Sequence, residues 1–131
     1  MPDLADQPRY SPKIFDARTV EEARAVVLSA DETAQVDERW RVETPWFGSL
    51  IGHACALGPN ARVLDFGCGL GRLAKWLIEN IGCRVVGVDI SPAMRTLAAE
   101  YVASPLFSVV SYDDFRADPT VGGGFDAAYA C

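Results

Sequence analysis

The chain reads as an α/β protein built on a parallel sheet, and three observations carry that reading. An apolar run, Val63-Leu64-Asp65-Phe66, breaks into three alternate glycines, Gly67, Gly69 and Gly71, and passes straight into a helix-patterned segment. A second apolar run, Arg84 to Val88, ends in an acid, Asp89, about 20 residues beyond the glycines. Strand-like and helix-like segments then continue to alternate, as right-handed crossovers between parallel strands require.

Met1 to Lys13 is polar and proline-punctuated and reads as a flexible lead. Thr19 and Glu22 stand at capping-box spacing at the start of a helix expected from Val20 to about Ser29. A second helix is expected from Thr33 to Glu43. Thr44-Pro45 then reads as an N-cap followed by proline at the first helical position, opening a third helix to about Leu57. Gly58-Pro59-Asn60 turns the chain into the first strand. After the glycines, Leu70, Leu73, Ala74, Leu77 and Ile81 recur at helical spacing and would face the sheet, with Arg72, Lys75 and Glu79 opposite. Ser91-Pro92 repeats the cap-and-proline pattern for a helix to about Tyr101. Phe107 to Ser111 is a third strand, and Gly122-Gly123-Gly124 turns into a fourth, Phe125 to Cys131. The organisation is thus a helical amino-terminal extension, 1–58, and a partial sheet domain, 59–131.

Glycines between a strand and a helix point to a ligand. A sharp reversal often needs φ > 0, and the absence of side chains lets a ligand reach the backbone. The loop is therefore expected to present bare N–H groups at the positive end of a helix. The spacing is GxGxG. Arg72 stands where the third glycine of the dinucleotide pattern GxGxxG would fall. Asp65 would crowd a pyrophosphate and suits a cationic ligand better. There is no GxxxxGK[ST], which argues against a nucleoside triphosphatase.

The stretch from Val63 to Leu73 resembles the first motif of the class I S-adenosylmethionine-dependent methyltransferases, and Val85-Val86-Gly87-Val88-Asp89-Ile90-Ser91 resembles their second. The match is good from Ala61 to Ser91 and loose from Phe107 to Cys131. It implies a Rossmann-like parallel sheet of seven strands in the order 3-2-1-4-5-7-6, with helices on both faces. This chain supplies the 3-2-1-4 part, and so is expected to be an amino-terminal piece of a longer enzyme, inactive on its own. The resemblance implies S-adenosyl-L-methionine as cofactor and S-adenosyl-L-homocysteine as product. Gly67, Cys68, Gly69 and Gly71 would pass beside the methionine part, and Asp65 would lie near its amino group, often through water. Asp89 would bind the ribose hydroxyls and Ile90 lie against the adenine. Asp113, with Asp114 close behind, would stand near the adenine amino group. The implied reaction is attack of an N, O, S or C nucleophile on the sulfonium methyl, without a metal. No catalytic residue is assigned.

Composition bounds the rest. Half the residues are hydrophobic, yet no apolar run is long enough to span a bilayer, and the polar first fifteen residues carry no secretory signal pattern. Cys55, Cys68, Cys83 and Cys131 make no CxxC pair and His53 is the only histidine, so no metal site is expected and a reduced, cytoplasmic setting is. The net charge of −6 weighs against a bare nucleic-acid surface, and the unidentified methyl acceptor is expected to be a small molecule. Cys68 reads as loop filler and His53 as structural. Arg39-Trp40-Arg41 and Trp46-Phe47 either form a lid or pack the leading helices onto the sheet, with packing favoured. A nucleotide-binding oxidoreductase or epimerase, and a non-catalytic cofactor- or partner-binding module, are the alternative readings.

Overall fold

The computed structural model describes residues 15–28 and 33–131; the lead from Met1 to Lys13 lies outside them. Strands β1 (Arg62–Phe66), β2 (Arg84–Val88), β3 (Phe107–Val110) and β4 (Ala127–Tyr129) form one parallel sheet in the order β3-β2-β1-β4. The register sets Asp65 beside Gly87 on one side and Tyr129 on the other. The chain leaves β1 toward β2 and β3, then returns past β1 to β4. That reversal places a topological switch point at the carboxyl end of β1, where open α/β sheets hold ligands.

Helix α1 (Val20–Leu28) starts as expected: the Glu22 N–H donates to Thr19 Oγ1 at 3.2 Å, and the Glu22 carboxylate accepts from the Arg18 N–H. The next segment departs from expectation. The two helices expected on either side of Thr44-Pro45 are a single helix, α2 (Thr33–Ala54), with Pro45 inside it. Thr44 is buried and its hydroxyl finds no partner, so it caps nothing. An internal proline costs roughly 3 kcal/mol. Burial of side chains on both sides of it offsets that cost at roughly 1.5–3 kcal/mol each: Val36 and Ile51 are buried, and Phe47 packs on the main core. Gly48 lets α2 approach α3 (Arg72–Ile81) closely, since a Cβ there would fall 2.2 Å from the Trp76 ring.

In α3, Leu73, Ala74, Leu77 and Ile78 are buried against Val63 and Val85, while Ile81 is only half-buried. Arg72 does not face water; it lies 3.8 Å from Glu43 of α2 and over the Trp40 ring. Helix α4 (Pro92–Val102) is capped as expected, Ser91 Oγ accepting from the Met94 N–H at 3.2 Å.

After β3 come two short helices that sequence reasoning did not assign, α5 (Tyr112–Ala117) and α6 (Pro119–Gly122). Their signals were local: Ser111 Oγ accepts from the Asp114 N–H, and Asp118 from the Thr120 N–H. Phe66 alternates with Asp65 and so points to the opposite face of the sheet, where it meets Tyr112 and Phe115. Helices thus stand on both faces. The fourth strand is shorter than expected. Phe125 and Asp126 precede it, Phe125 under the Arg62 guanidinium and Asp126 accepting from the Arg62 N–H.

Candidate functional site

The three loop glycines all adopt positive φ, and the loop they form is closed rather than open. The N–H groups of Gly67 and Cys68 donate to the Val88 carbonyl at 2.7 and 3.0 Å, that of Gly71 to Cys68 O, and that of Gly69 to Asp89 Oδ2 at 2.8 Å. The expectation of bare amides at these residues is corrected. Contacts between β1 and β2 continue past the strand ends, and the Asp89 carboxylate takes the next amide. Asp89 Oδ1 also accepts from the Ser91 N–H at 2.9 Å, so one carboxylate ties the loop to the start of α4. A carboxylate offers about four acceptor sites, which leaves Asp89 capacity for a ligand's hydroxyls.

A cavity of about 520 Å³ opens beside this loop at the carboxyl ends of β1 and β2. Gly67, Cys68, Gly69, Asp89 and Ile90 line it. Phe66 and Tyr112 line it too, and Phe15 and Val27 reach it from the amino-terminal extension. Ile90 and Phe66 are 45% and 44% exposed, which leaves two large apolar surfaces ready for a flat apolar group.

The remaining expected residues sit elsewhere. Gly71 caps α3 at φ 80°, and a Cβ there would lie 2.7 Å from Val102 Cγ2, so its bareness serves helix packing. Asp113 and Asp114 are exposed in the first turn of α5 and do not line the cavity; their neighbour Tyr112 does. The Ser111 cap starts α5 at Tyr112, one residue before the two acids.

Asp65 does not line the cavity either. It is 4% exposed, and Tyr129 Oη donates to its Oδ2 at 2.9 Å. Burial pushes its carboxyl up to about 7, against the pull of the Tyr129 hydrogen bond and with the nearby Asp89 charge adding to the rise. Burial, with Asp65 and Asp89 nearby, also raises the Cys68 thiol, so Cys68 is a neutral filler of the loop.

Sequence reasoning missed Phe15, Val27, Met94, Phe66 and Tyr112 as cavity residues. Phe66 carried a signal, being the last strand residue before the glycines. Phe15 and Val27 carried none. They are brought in by the fold: Ser91 Oγ donates to the Phe15 carbonyl at 3.2 Å, and Val27 Cγ2 lies 3.3 Å from where a Gly69 Cβ would be. Of the residues read as packing or lid, Trp40 packs, as favoured, and Trp46 does not. Trp40 Nε1 donates to Tyr101 Oη at 2.9 Å, with Arg24 and Arg72 over its ring, and Trp46 is exposed against Phe47. His53 is exposed on α2, its Nδ1 3.1 Å from Ser49 O. Among the described residues no group of three His, Cys, Asp or Glu could hold a metal ion, and no helix is long and apolar enough to cross a membrane.

Residues 63–131 match a family model described as methyltransferase domain. A 2-methyl-6-phytyl-1,4-hydroquinone methyltransferase of Synechocystis is 32% identical over 74 residues, which cover 56% of this chain and 23% of that protein. A ribosomal RNA small subunit methyltransferase C of Alcanivorax borkumensis is 31% identical over 102 residues, 77% of this chain and 25% of that protein. The structure of an S-adenosylmethionine-bound amino pentose methyltransferase from Micromonospora echinaspora superposes with a TM-score of 0.53 at 25% identity, covering 77% of this chain and 42% of that one. The chain thus spans about a quarter of the length of these two curated relatives.

Proposed function

The chain belongs to the methyltransferase domain family, and from that premise we propose that its cavity holds S-adenosyl-L-methionine and serves methyl transfer to a small-molecule nucleophile. The observation that carries the reading is Asp89. It directly follows β2, lines the cavity, braces the glycine loop through Gly69 and keeps acceptor capacity for a diol. On this reading Asp89 holds the ribose hydroxyls, Ile90 the adenine, and Gly67, Cys68 and Gly69 the methionine part. Phe66 and Tyr112 complete the apolar end, so that Tyr112, rather than Asp113 or Asp114, serves there. The extension ahead of residue 59 is mostly helical over its described residues, and its Phe15 and Val27 help cover residues 59–131 and exclude water.

When bound, the cofactor supplies a methyl group already activated by its positive sulfur. The residues described then have to bind and orient the donor and keep water out, a contribution that positioning alone can make large. Two curated relatives are named for a hydroquinone and for ribosomal RNA. The apolar cavity wall and the net charge of −6 favour a small acceptor here. The four cysteines are free, in keeping with a reduced, cytoplasmic setting.

Titration calorimetry with S-adenosyl-L-homocysteine and, separately, with NADH tests the cofactor. Saturable binding of the first and none of the second is expected. Saturation by NADH alone would move the protein to the oxidoreductase reading.

A further inference from the structure

Asp65 is the one ionisable side chain among the buried polar residues described, which are Thr44, Asp65 and Ser91. It sits on the covered face of β1. Helix α3 offers that face Leu73, Ala74 and Leu77, all apolar. The loop contributes the Cys68 thiol, the end of β2 the Asp89 carboxylate, and β4 the Tyr129 hydroxyl at 2.9 Å. None of the ion pairs of the described residues reaches Asp65. Burial, a like charge nearby and the absence of an ion-pair partner all favour the protonated form of this carboxyl, while the Tyr129 hydroxyl favours the ionised one. Two and three residues further along the chain, Gly67 and Cys68 line the cavity in which the proposed cofactor would carry an ammonium group.

We infer that Asp65 and Tyr129 form a charge switch beneath the glycine loop: Asp65 keeps its proton until the cofactor's amino group arrives, then releases it. This rests on the cofactor reading above. The Asp65 O–H bond breaks and its proton leaves to solvent, while the ligand arrives as the ammonium ion and forms no covalent bond. Tyr129 is a positioning residue. Its hydroxyl donates to the carboxylate that forms, and so sets how readily the proton departs. Burial already places that carboxyl near neutrality, where the exchange can occur.

The experiment is calorimetry of S-adenosyl-L-homocysteine binding between pH 5.5 and 7.5, below the range where the ligand's own amino group titrates, in two buffers of different ionisation enthalpy. The wild type is expected to release up to one proton per ligand, seen as buffer-dependent heat. Its affinity should rise up to about tenfold per pH unit below 7 and flatten above it. Tyr129→Phe should displace that rise upward by about one pH unit, and Asp65→Asn should abolish it. A uniformly weaker Tyr129→Phe variant with an unchanged pH profile would reduce Tyr129 to a structural role and overturn its part. Saturable wild-type binding with buffer-independent heat overturns the switch alone. No saturable binding at any pH overturns the switch and the cofactor reading together. The wild-type measurement decides even where Asp65→Asn fails to fold.

Discussion

Replacing Asp89 by alanine removes two hydrogen bonds that the glycine loop depends on, and would test most directly how the site is built. In the folded protein the carboxylate accepts from the Gly69 N–H at 2.8 Å and the Ser91 N–H at 2.9 Å. Hydrogen bonds to a charged group are worth roughly 1.5–3 kcal/mol each. These two are only part-buried, and water entering the space would restore some of that. A net destabilisation of about 1–3 kcal/mol is expected, a fall in Tm of roughly 4–10 °C for a chain of this size. The ligand effect is separate. Loss of a charge-assisted contact to the ribose, at about 1.4 kcal/mol per decade, weakens S-adenosyl-L-homocysteine by roughly ten- to a hundredfold. Calorimetry at a temperature well below the variant's melting point reads the affinity, and a thermal melt followed by circular dichroism reads the stability. Unchanged affinity in a folded variant would refute the assignment of Asp89 to the ligand, and an unchanged melting temperature would refute its bracing of the loop.

Three further outcomes are expected. Gly69→Val places a branched side chain at φ 54° with its Cβ 3.3 Å from Val27 and on the cavity wall; it should abolish S-adenosyl-L-homocysteine binding while leaving most of the helical circular dichroism signal, and normal binding would remove the loop from the site. Stability should depend on pH through Asp65: its folded carboxyl titrates at about 7 instead of the ordinary 3.8, so the folded state holds the proton more tightly. The stabilisation is full below about pH 4 and is lost as pH rises through 7, by at most about 4 kcal/mol. Urea melts at pH 5 and pH 8 should therefore show Asp65→Asn gaining on the wild type at the higher pH, and a pH-independent difference would contradict this. Trp40→Phe loses the hydrogen bond to Tyr101 and should cost about 1 kcal/mol without changing ligand affinity; a large loss of affinity would restore Trp40 to the lid.

Short-range patterns carried the frame of this protein. Each apolar run, the glycines between Phe66 and Arg72, the Ser91-Pro92 cap and the helical spacing from Leu70 to Leu77 are local in the chain. They were enough for four parallel strands, α3 and α4, and, with the spacing from the glycines, for Asp89 on the cavity wall; Ile90 came from family resemblance. The strand order came from family resemblance, because spacing alone does not say which strands are neighbours. Tertiary structure decided what depended on groups far apart in the chain. Whether Pro45 begins a helix or sits inside one depended on whether α2 had a continuous partner, and α3 supplies it. Whether the loop amides are free depended on Val88 and Asp89, about 20 residues away, which consume them. Phe15 enters the cavity only because Ser91, 76 residues later, holds its carbonyl. The partner of the buried Asp65 carboxyl, the Tyr129 hydroxyl, comes from 64 residues on and lies beside it only in the sheet. Periodicity encodes which face of an element is buried, whereas the partner that covers that face, and the charge state it imposes, exist only once the elements have packed.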